Sequence, residues 1–165
     1  MTILLKGGRL LLGGDFCRRD ILIRGGVIAD ISPGVSETAF DLCFELDNCF
    51  VLPGFADVHV HLREPGFSYK ETIETGTLAA ARGGYTLVCA MPNTNPVPDS
   101  VETLAVMREL IEKSARIKVV PYASITKGEQ GRELVDFKSL IGSVAGFSDD
   151  GRGVQSKELM RSAML

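Results

Sequence analysis

At residues 55–66 the chain reads Phe-Ala-Asp-Val-His-Val-His-Leu-Arg-Glu-Pro-Gly. The apolar start predicts a buried β-strand, and the Arg-Glu-Pro-Gly end predicts the loop that follows it. Side chains two positions apart on a strand point to the same face, so His59 and His61 can present two imidazoles to one metal ion, with Asp57 on the same side. No other histidine occurs in the sequence. The alternative interpretation is a pair of solvated histidines on a strand.

The chain after residue 53 alternates between strand-like and helix-prone segments. Strands are predicted at residues 55–62, 85–91, 117–125 and 143–147, and helices at 70–82, 101–115 and 133–141. Gly83-Gly84 is expected to end the first helix, and Ser156 to N-cap a last one. The alternation indicates an α/β fold of parallel strands joined by right-handed crossovers. About four βα units fit here, whereas a closed barrel contains eight, and an open four-stranded sheet is the alternative.

Residues 1–52 follow a different pattern, in which short apolar runs are separated by glycine pairs. These pairs are Gly7-Gly8, Gly13-Gly14 and Gly25-Gly26. Paired glycines accept positive φ angles and so permit tight hairpin turns. The pattern predicts a small antiparallel β unit. The expected domains are therefore residues 1–52 and residues 53–165.

The composition excludes several classes of function. Of the 165 residues, 45% are hydrophobic and 24% are charged, as in ordinary globular domains. The net charge of −3 provides no basic surface for nucleic acid or for an anionic membrane. No stretch approaches the roughly 20 apolar residues that span a bilayer. The four cysteines form no Cys-x-x-Cys pair, which is typical of a reducing, cytoplasmic setting.

Two polar residues close to predicted strand ends offer groups that could bind a ligand. Arg63 follows His61 by two positions, and its guanidinium could clamp a carboxylate through two hydrogen bonds. The alternative is a surface arginine paired with Glu64 or Glu71. Asn93, in Met-Pro-Asn-Thr at the end of the second strand, offers both an amide donor and an amide acceptor. Its alternative interpretation is a turn residue.

The fourth predicted strand ends in Asp149-Asp150-Gly151. Two adjacent carboxylates repel each other unless a cation or backbone N–H groups neutralise them. Because neighbouring side chains face opposite ways, only one of the two is expected to reach a metal. The alternative is an Asx turn in which Gly151 takes a positive φ. Imidazole and carboxylate ligands with open positions suit Zn²⁺ that activates water.

Together these motifs resemble the dihydroorotases of the bacterial type I branch of the amidohydrolase superfamily. The resemblance rests on residues 57–66, 71–76, 80–86, 91–94 and 147–151. It implies an amidohydrolase-type (β/α)8 TIM barrel, of which residues 53–165 form the first half, and a small β-sandwich domain that includes residues 1–52. It also implies one or two zinc ions and the reversible interconversion of dihydroorotate and N-carbamoyl-aspartate in de novo pyrimidine biosynthesis.

Carried over position by position, the resemblance makes His59, His61 and Asp150 metal ligands. It makes Arg63 and Asn93 the residues that hold the carboxylate of a small-molecule substrate. Many superfamily members have a carboxylated lysine in the role of Asp150. The family's other metal histidines and its catalytic Asp, the general acid/base, would lie beyond these 165 residues. No catalytic residue is therefore assigned, and we expect little or no turnover from this chain alone.

Two other functions remain open at this point. One is a different cyclic amidohydrolase, such as a hydantoinase, a dihydropyrimidinase or an allantoinase, although Arg63 and Asn93 together favour a substrate that has a carboxylate. The other is a non-catalytic relative that serves as a partner of aspartate transcarbamoylase, although such a protein is expected to lose its metal ligands. The resemblance leaves open a homo-oligomer and a complex with aspartate transcarbamoylase.

Overall fold

A computed structural model describes residues 1–36 and 39–165. The chain forms two compact units, Met1–Pro53 and Gly54–Leu165. The boundary between them is one residue beyond the one expected from the sequence. Among the described residues, no helix has both the length and the apolar character needed to cross a membrane.

The first unit is a five-stranded sheet with the strand order β3-β2-β1-β4, and β5 also pairs with β1. Its strands are β1 Thr2–Leu12, β2 Asp15–Arg24, β3 Val27–Ser32, β4 Leu42–Glu45 and β5 Phe50–Val51. The first three are antiparallel and are joined by Gly13-Gly14 and Gly25-Gly26, which have positive φ, as predicted. The turn predicted at Gly7-Gly8 is wrong, because this pair lies inside β1 at a shift in the register with β2.

The prediction of a purely antiparallel unit is wrong, because β4 and β5 run parallel to β1. The physical reason is that a glycine pair specifies only the hairpin in which it lies. The direction in which a later strand joins the sheet depends on the longer connection before it, and turn chemistry does not determine that direction.

The second unit contains a parallel sheet with the strand order β6-β7-β8. The strands are β6 Phe55–Val60, β7 Tyr85–Ala90 and β8 Lys118–Pro121. They are joined by α1 Ile73–Arg82 and α2 Val101–Ser114, and a 3₁₀ turn at Lys127–Glu129, α3 Phe137–Leu140 and α4 Lys157–Ala163 follow. Strands and helices alternate as predicted, so the unit has a mixed α/β architecture.

The helix ends follow their local sequence signals. The Ser156 hydroxyl accepts a hydrogen bond from the Leu159 N–H at 3.1 Å, which confirms it as an N-cap. Thr72 caps α1 in the same way through the N–H of Thr75. Gly83 forms the C-cap of α1, and Gly84, with φ of 85°, directs the chain into β7. This confirms the predicted end of the first helix.

The core of the second unit lies between the sheet and its two long helices. It is formed by the buried residues Leu62, Ile73, Val88, Ala90 and Met107. A second buried cluster contains Leu104, Ala123, Val135 and Leu140. Because Leu62 directly follows His61 and is only 4% exposed, the core fixes the chain at the point where the predicted metal ligands emerge.

Two predicted strands are shorter in the structure than the sequence indicated. The third ends at Pro121, and one further bond to β7 follows, from the Tyr122 N–H to the Ala90 carbonyl at 2.8 Å. Residues 143–147 form no extended strand and contribute one isolated parallel bridge, between Ala123 and Phe147. Gly142, immediately before this segment, has a φ of 85°, which is outside the extended conformation of a strand. The predicted fourth strand is therefore reduced to a bridge in the described structure.

The predicted helix at residues 133–141 is a single turn, α3. Its expected first residues pair instead with the preceding loop. The Val135 N–H donates to the Ile125 carbonyl at 3.1 Å, and the Lys127 N–H donates to the Glu133 carbonyl at 2.8 Å. These bonds to the preceding loop take the place of helical ones, which shortens the helix from its N-terminal side.

Candidate metal centre

The two histidines lie at the C-terminal end of β6. His59 is in the strand and His61 is the first residue after Val60, the last residue of the strand. Their ring centroids are 5.3 Å apart. The His59 side chain is 54% exposed and the His61 side chain is 31% exposed. Both rings are therefore accessible from solvent on the same side of the strand end.

Asp150 joins the two histidines from a distant part of the sequence. Its Oδ1 is 3.6 Å from Nε2 of His59, and its Oδ2 is 3.4 Å from Nε2 of His61. Candidate ligand atoms from the three residues all lie within 4.8 Å of one another. Two ligands about 2.0–2.1 Å from a tetrahedral zinc are separated by about 3.3–3.4 Å. The three side chains therefore have the spacing of ligands around one ion.

Asp149, next to Asp150, faces away from this cluster. Its carboxylate is 5% exposed and accepts hydrogen bonds from the N–H of Ile125 at 2.8 Å, from the N–H of Thr126 at 3.0 Å and from the Thr126 hydroxyl. Three donors satisfy the buried charge and tie the segment of Asp150 to the loop after β8. The two adjacent carboxylates thus have different surroundings, as the sequence led us to expect.

Asn93 contacts two of the candidate ligands. Its Oδ1 is 3.0 Å from Nδ1 of His61, and its Nδ2 donates to Oδ2 of Asp150 at 3.2 Å. The sequence placed Asn93 at the correct edge of the sheet as a substrate-binding candidate. It did not indicate this link between His61 and Asp150.

Arg63 lies after the end of β6 and does not continue the alternation of side chains along the strand. The strand ends at Val60, and Arg63 has a left-handed φ of 61°, so strand geometry does not determine where its side chain lies. The two acidic residues weighed as its partners are engaged elsewhere. Glu64 accepts the Ile73 N–H at 2.7 Å, and Glu71 accepts the Thr72 N–H at 2.8 Å.

Asp57, which the sequence predicted to lie on the same side as the two histidines, contacts the backbone of His59. Its Oδ1 accepts the backbone N–H of His59 at 3.0 Å. The bond shapes the backbone of the strand end and leaves the imidazole of His59 to face Asp150.

Glu129, in the 3₁₀ turn after β8, is a residue that the sequence did not single out. It is 5% exposed, has φ of 55°, and its Oε1 has no hydrogen-bond partner among the described residues. Burial and, to a smaller extent, the negative charge of Asp149 raise its pKa to about 7. A glutamate in the polar loop Lys-Gly-Glu-Gln-Gly, residues 127–131, has the pattern of a solvated residue, so no sequence signal indicated its burial.

Comparison with solved structures defines the class of fold. The L-hydantoinase (dihydropyrimidinase) from Arthrobacter aurescens matches 88% of this chain with a TM-score of 0.75 and 23% sequence identity, over 32% of its own length. A crystal structure of a D-hydantoinase matches 76% of the chain with a TM-score of 0.64 and 28% identity, over 28% of its length. The chain shares the fold of the matching portions of these proteins.

Comparison of sequences defines the family. The profile of the Dihydro-orotase-like family matches residues 49–165. The dihydroorotases of Staphylococcus aureus strain Mu50 and Fusobacterium nucleatum are each 52% identical to the chain over 163 residues. The match covers 98% and 99% of this chain, respectively, and 38% of each relative. The chain belongs to the dihydroorotase-like family, which confirms the resemblance, and it spans 38% of the length of these curated relatives.

Proposed function

We propose that the chain supplies the first metal ligands of a zinc-dependent cyclic amide hydrolase, a dihydroorotase that interconverts dihydroorotate and N-carbamoyl-aspartate. The main support is the convergence of His59, His61 and Asp150, from segments about 90 residues apart, in a member of the dihydroorotase-like family. The proposed ligands of the ion are these three residues. One or two zinc ions would be completed by ligands from outside the chain.

The donor set fits a cation. Carboxylate oxygens face both imidazole Nε2 atoms at 3.4 and 3.6 Å, and such a group of lone pairs is stable only with a proton or a cation between its members. Nitrogen and oxygen donors suit zinc, and three protein ligands leave positions open. Bound zinc would act as a Lewis acid that activates water for attack on an amide carbonyl.

The proposed role of Arg63 and Asn93 is to hold the substrate carboxylate. The Asn93 amide nitrogen has two hydrogens, and only one of them is needed for the bond to Asp150. Arg63 is half-buried in the loop after β6, and none of the described carboxylates forms an ion pair with it. A guanidinium and an amide together favour dihydroorotate over a cyclic amide that lacks a carboxylate.

The fold is consistent with this proposal, and two observations disfavour the alternative functions. We propose that Gly54–Leu165 is part of an amidohydrolase-type (β/α)8 barrel and that Met1–Pro53 is part of a small β-sandwich domain. Identity of 52% to dihydroorotases, against 23–28% to hydantoinases, favours the first substrate class. The presence of all three candidate ligands disfavours a non-catalytic partner. A cytoplasmic location, a homo-oligomer and a complex with aspartate transcarbamoylase stay predictions.

Zinc binding tests the proposed metal centre directly. Titration of the chain with Zn²⁺ in a calorimeter is expected to show binding at one site, weakened at least about 100-fold in His61→Ala and Asp150→Asn, because each change removes a ligand. The matched control is Glu109→Gln, an exposed carboxylate on α2, which should bind zinc as the unmodified chain does. Equal affinity in all four proteins would contradict the proposal.

A further inference from the structure

Asn93 lies between two side chains that come from opposite ends of the second unit. One end of its amide contacts the ring of His61, and the other contacts the carboxylate of Asp150, at 3.0 and 3.2 Å. The contacts join residues that are 32 and 57 positions away in the sequence. Asn93 therefore links the end of β6 to the segment that contains Asp150 through side-chain hydrogen bonds.

The surrounding backbone fixes the position of Asn93. The Met91 N–H donates to the Val60 carbonyl at 2.9 Å, which continues the pairing of β6 with β7 past the strand ends. On the other side, the Asn95 N–H donates to the Pro65 carbonyl at 3.0 Å. The two loops approach so closely that a Cβ at Gly66 would lie 2.5 Å from the Asn95 carbonyl oxygen. Asn93 is thus held on both sides beside His61.

The chemistry of His61 and Asp150 determines how the Asn93 amide is oriented and which ring nitrogen of His61 has the hydrogen. A carboxylate only accepts hydrogen bonds, so the amide nitrogen of Asn93 must face Asp150 and the amide oxygen must face His61. An amide oxygen only accepts, so Nδ1 of His61 must have the hydrogen. In a neutral imidazole the lone pair is then on Nε2, the atom that faces Asp150 at 3.4 Å.

Without Asn93, His61 and Asp150 could form a hydrogen bond with each other. A neutral ring with its hydrogen on Nε2 would donate directly to the Asp150 carboxylate, and both ligand atoms would be used in one hydrogen bond. By accepting from Nδ1, Asn93 stabilises the other tautomer and keeps both lone pairs free. Ligand histidines in proteins commonly have their tautomer set in this way by a partner of the second nitrogen.

We infer that Asn93 is a positioning residue for the metal centre: it holds His61 in the Nδ1–H tautomer and orients Asp150, so that both present lone pairs to one cation. This inference rests on the proposed role of His61 and Asp150 as ligands, and it is separate from the binding of a substrate carboxylate. His59 provides an internal comparison, since its Nε2 faces Asp150 at 3.6 Å, and the side-chain hydrogen bonds of Asn93 in the described structure go to His61 and Asp150.

The tautomer can be observed without any metal. Because the chain has only two histidines, a long-range ¹H–¹⁵N correlation spectrum of the ¹⁵N-labelled protein shows two ring patterns, and it also reports whether each ring is neutral. We expect the neutral His61 ring to be in the Nδ1–H form in the unmodified chain. In Asn93→Ala the Nε2–H form should become the major one, whereas Asn95→Ala, which removes an exposed amide two residues away, should leave the pattern unchanged.

Zinc titration of the same proteins gives the second measurement. Loss of a residue that orients a ligand typically lowers metal affinity about 10–100-fold, and we expect this for Asn93→Ala but not for Asn95→Ala. Asn93→Asp preserves the side-chain volume and an acceptor for Nδ1, so it should retain the Nδ1–H tautomer. This variant keeps the tautomer testable if Asn93→Ala fails to fold. An Nε2–H ring in the unmodified chain, or unchanged zinc affinity in Asn93→Ala, would overturn the inference. A chain that binds no zinc but shows the expected tautomers would count against the proposed metal centre alone.

Discussion

Neighbouring acidic residues in this protein have opposite surroundings. Asp149 is buried and accepts three hydrogen bonds, whereas Asp150 is partly exposed and faces two histidines. Glu129 is buried without a complete set of partners. At the scale of single residues, the number of donors around a buried carboxylate decides whether its charge is tolerated or disfavoured.

Glu129 is expected to make the stability of the chain depend on pH. Its pKa is raised from 4.5 to about 7, so the folded state binds the proton more tightly than the unfolded state does. The free energy of unfolding should therefore fall as pH rises from 4.5 to 7, and Glu129→Gln should remove this loss. At pH 8 the variant should be more stable by about 1–3 kcal/mol.

Urea unfolding of both proteins between pH 4.5 and pH 8 measures this difference. All three tyrosines of the chain lie in Gly54–Leu165 and there is no tryptophan, so tyrosine fluorescence reports on the unit that contains Glu129. Glu109→Gln, an exposed glutamate on α2, is the control and should parallel the unmodified chain. A constant difference between Glu129→Gln and the unmodified chain across this range would contradict the assigned cause.

At the scale of elements, α1 and α2 cover one parallel sheet and hold it in place through a few buried side chains. Met107 of α2 is 1% exposed and belongs to the same cluster as Leu62, the residue after His61. The helices begin at side chains that satisfy their free N–H groups, as Ser100 does for α2 through a capping box. Packing of these helices therefore stabilises the strand end on which the histidines lie.

Met107→Ala is expected to lower the free energy of unfolding by about 2–5 kcal/mol, because it leaves a cavity in the core. The adjacent Val106 is 42% exposed, so Val106→Ala on the same helix should cost less than about 1 kcal/mol. Urea unfolding followed by tyrosine fluorescence compares the two. Similar losses for both variants would mean that α2 does not pack against the sheet through Met107.

At the scale of the whole molecule, every residue that this chain contributes to the proposed metal centre and substrate site lies in Gly54–Leu165. The chain spans 38% of the length of its dihydroorotase relatives. The proposed activity is therefore best examined in a chimera, in which a relative of 52% identity supplies the remaining length.

We expect a chimera in which this chain replaces the matching segment of the Staphylococcus aureus dihydroorotase to hydrolyse dihydroorotate in preference to hydantoin. In the chimera, Arg63→Met should raise KM for dihydroorotate about 10–100-fold, since a charge-assisted hydrogen bond is worth about 1.5–3 kcal/mol. Arg108→Met, an exposed arginine on α2, should leave KM unchanged. Steady-state kinetics on both substrates would refute the substrate assignment if hydantoin were preferred or if Arg63→Met had no effect.

Short stretches of sequence were sufficient for the features that depend on neighbouring residues. Gly13-Gly14 and Gly25-Gly26 predicted the hairpins of the first sheet, Ser156 and Gly83-Gly84 predicted helix ends, and the alternation after residue 53 predicted parallel strands. The spacing of His59 and His61 placed two rings on one face. The hairpins, the helix ends and the placement of the two rings depend on backbone geometry over a few residues, which local side chains determine. The parallel direction of the strands follows from the helices that connect them.

The remaining features became visible only in the folded chain, because they join residues that are far apart in sequence. The parallel pairing of β4 with β1, the reduction of residues 143–147 to a bridge and the burial of Glu129 each depend on what the rest of the chain places beside them. The same holds for the link of Asn93 to His61 and Asp150. Local propensity is weak compared with long-range hydrogen bonds and burial, so tertiary contacts decide wherever the two compete.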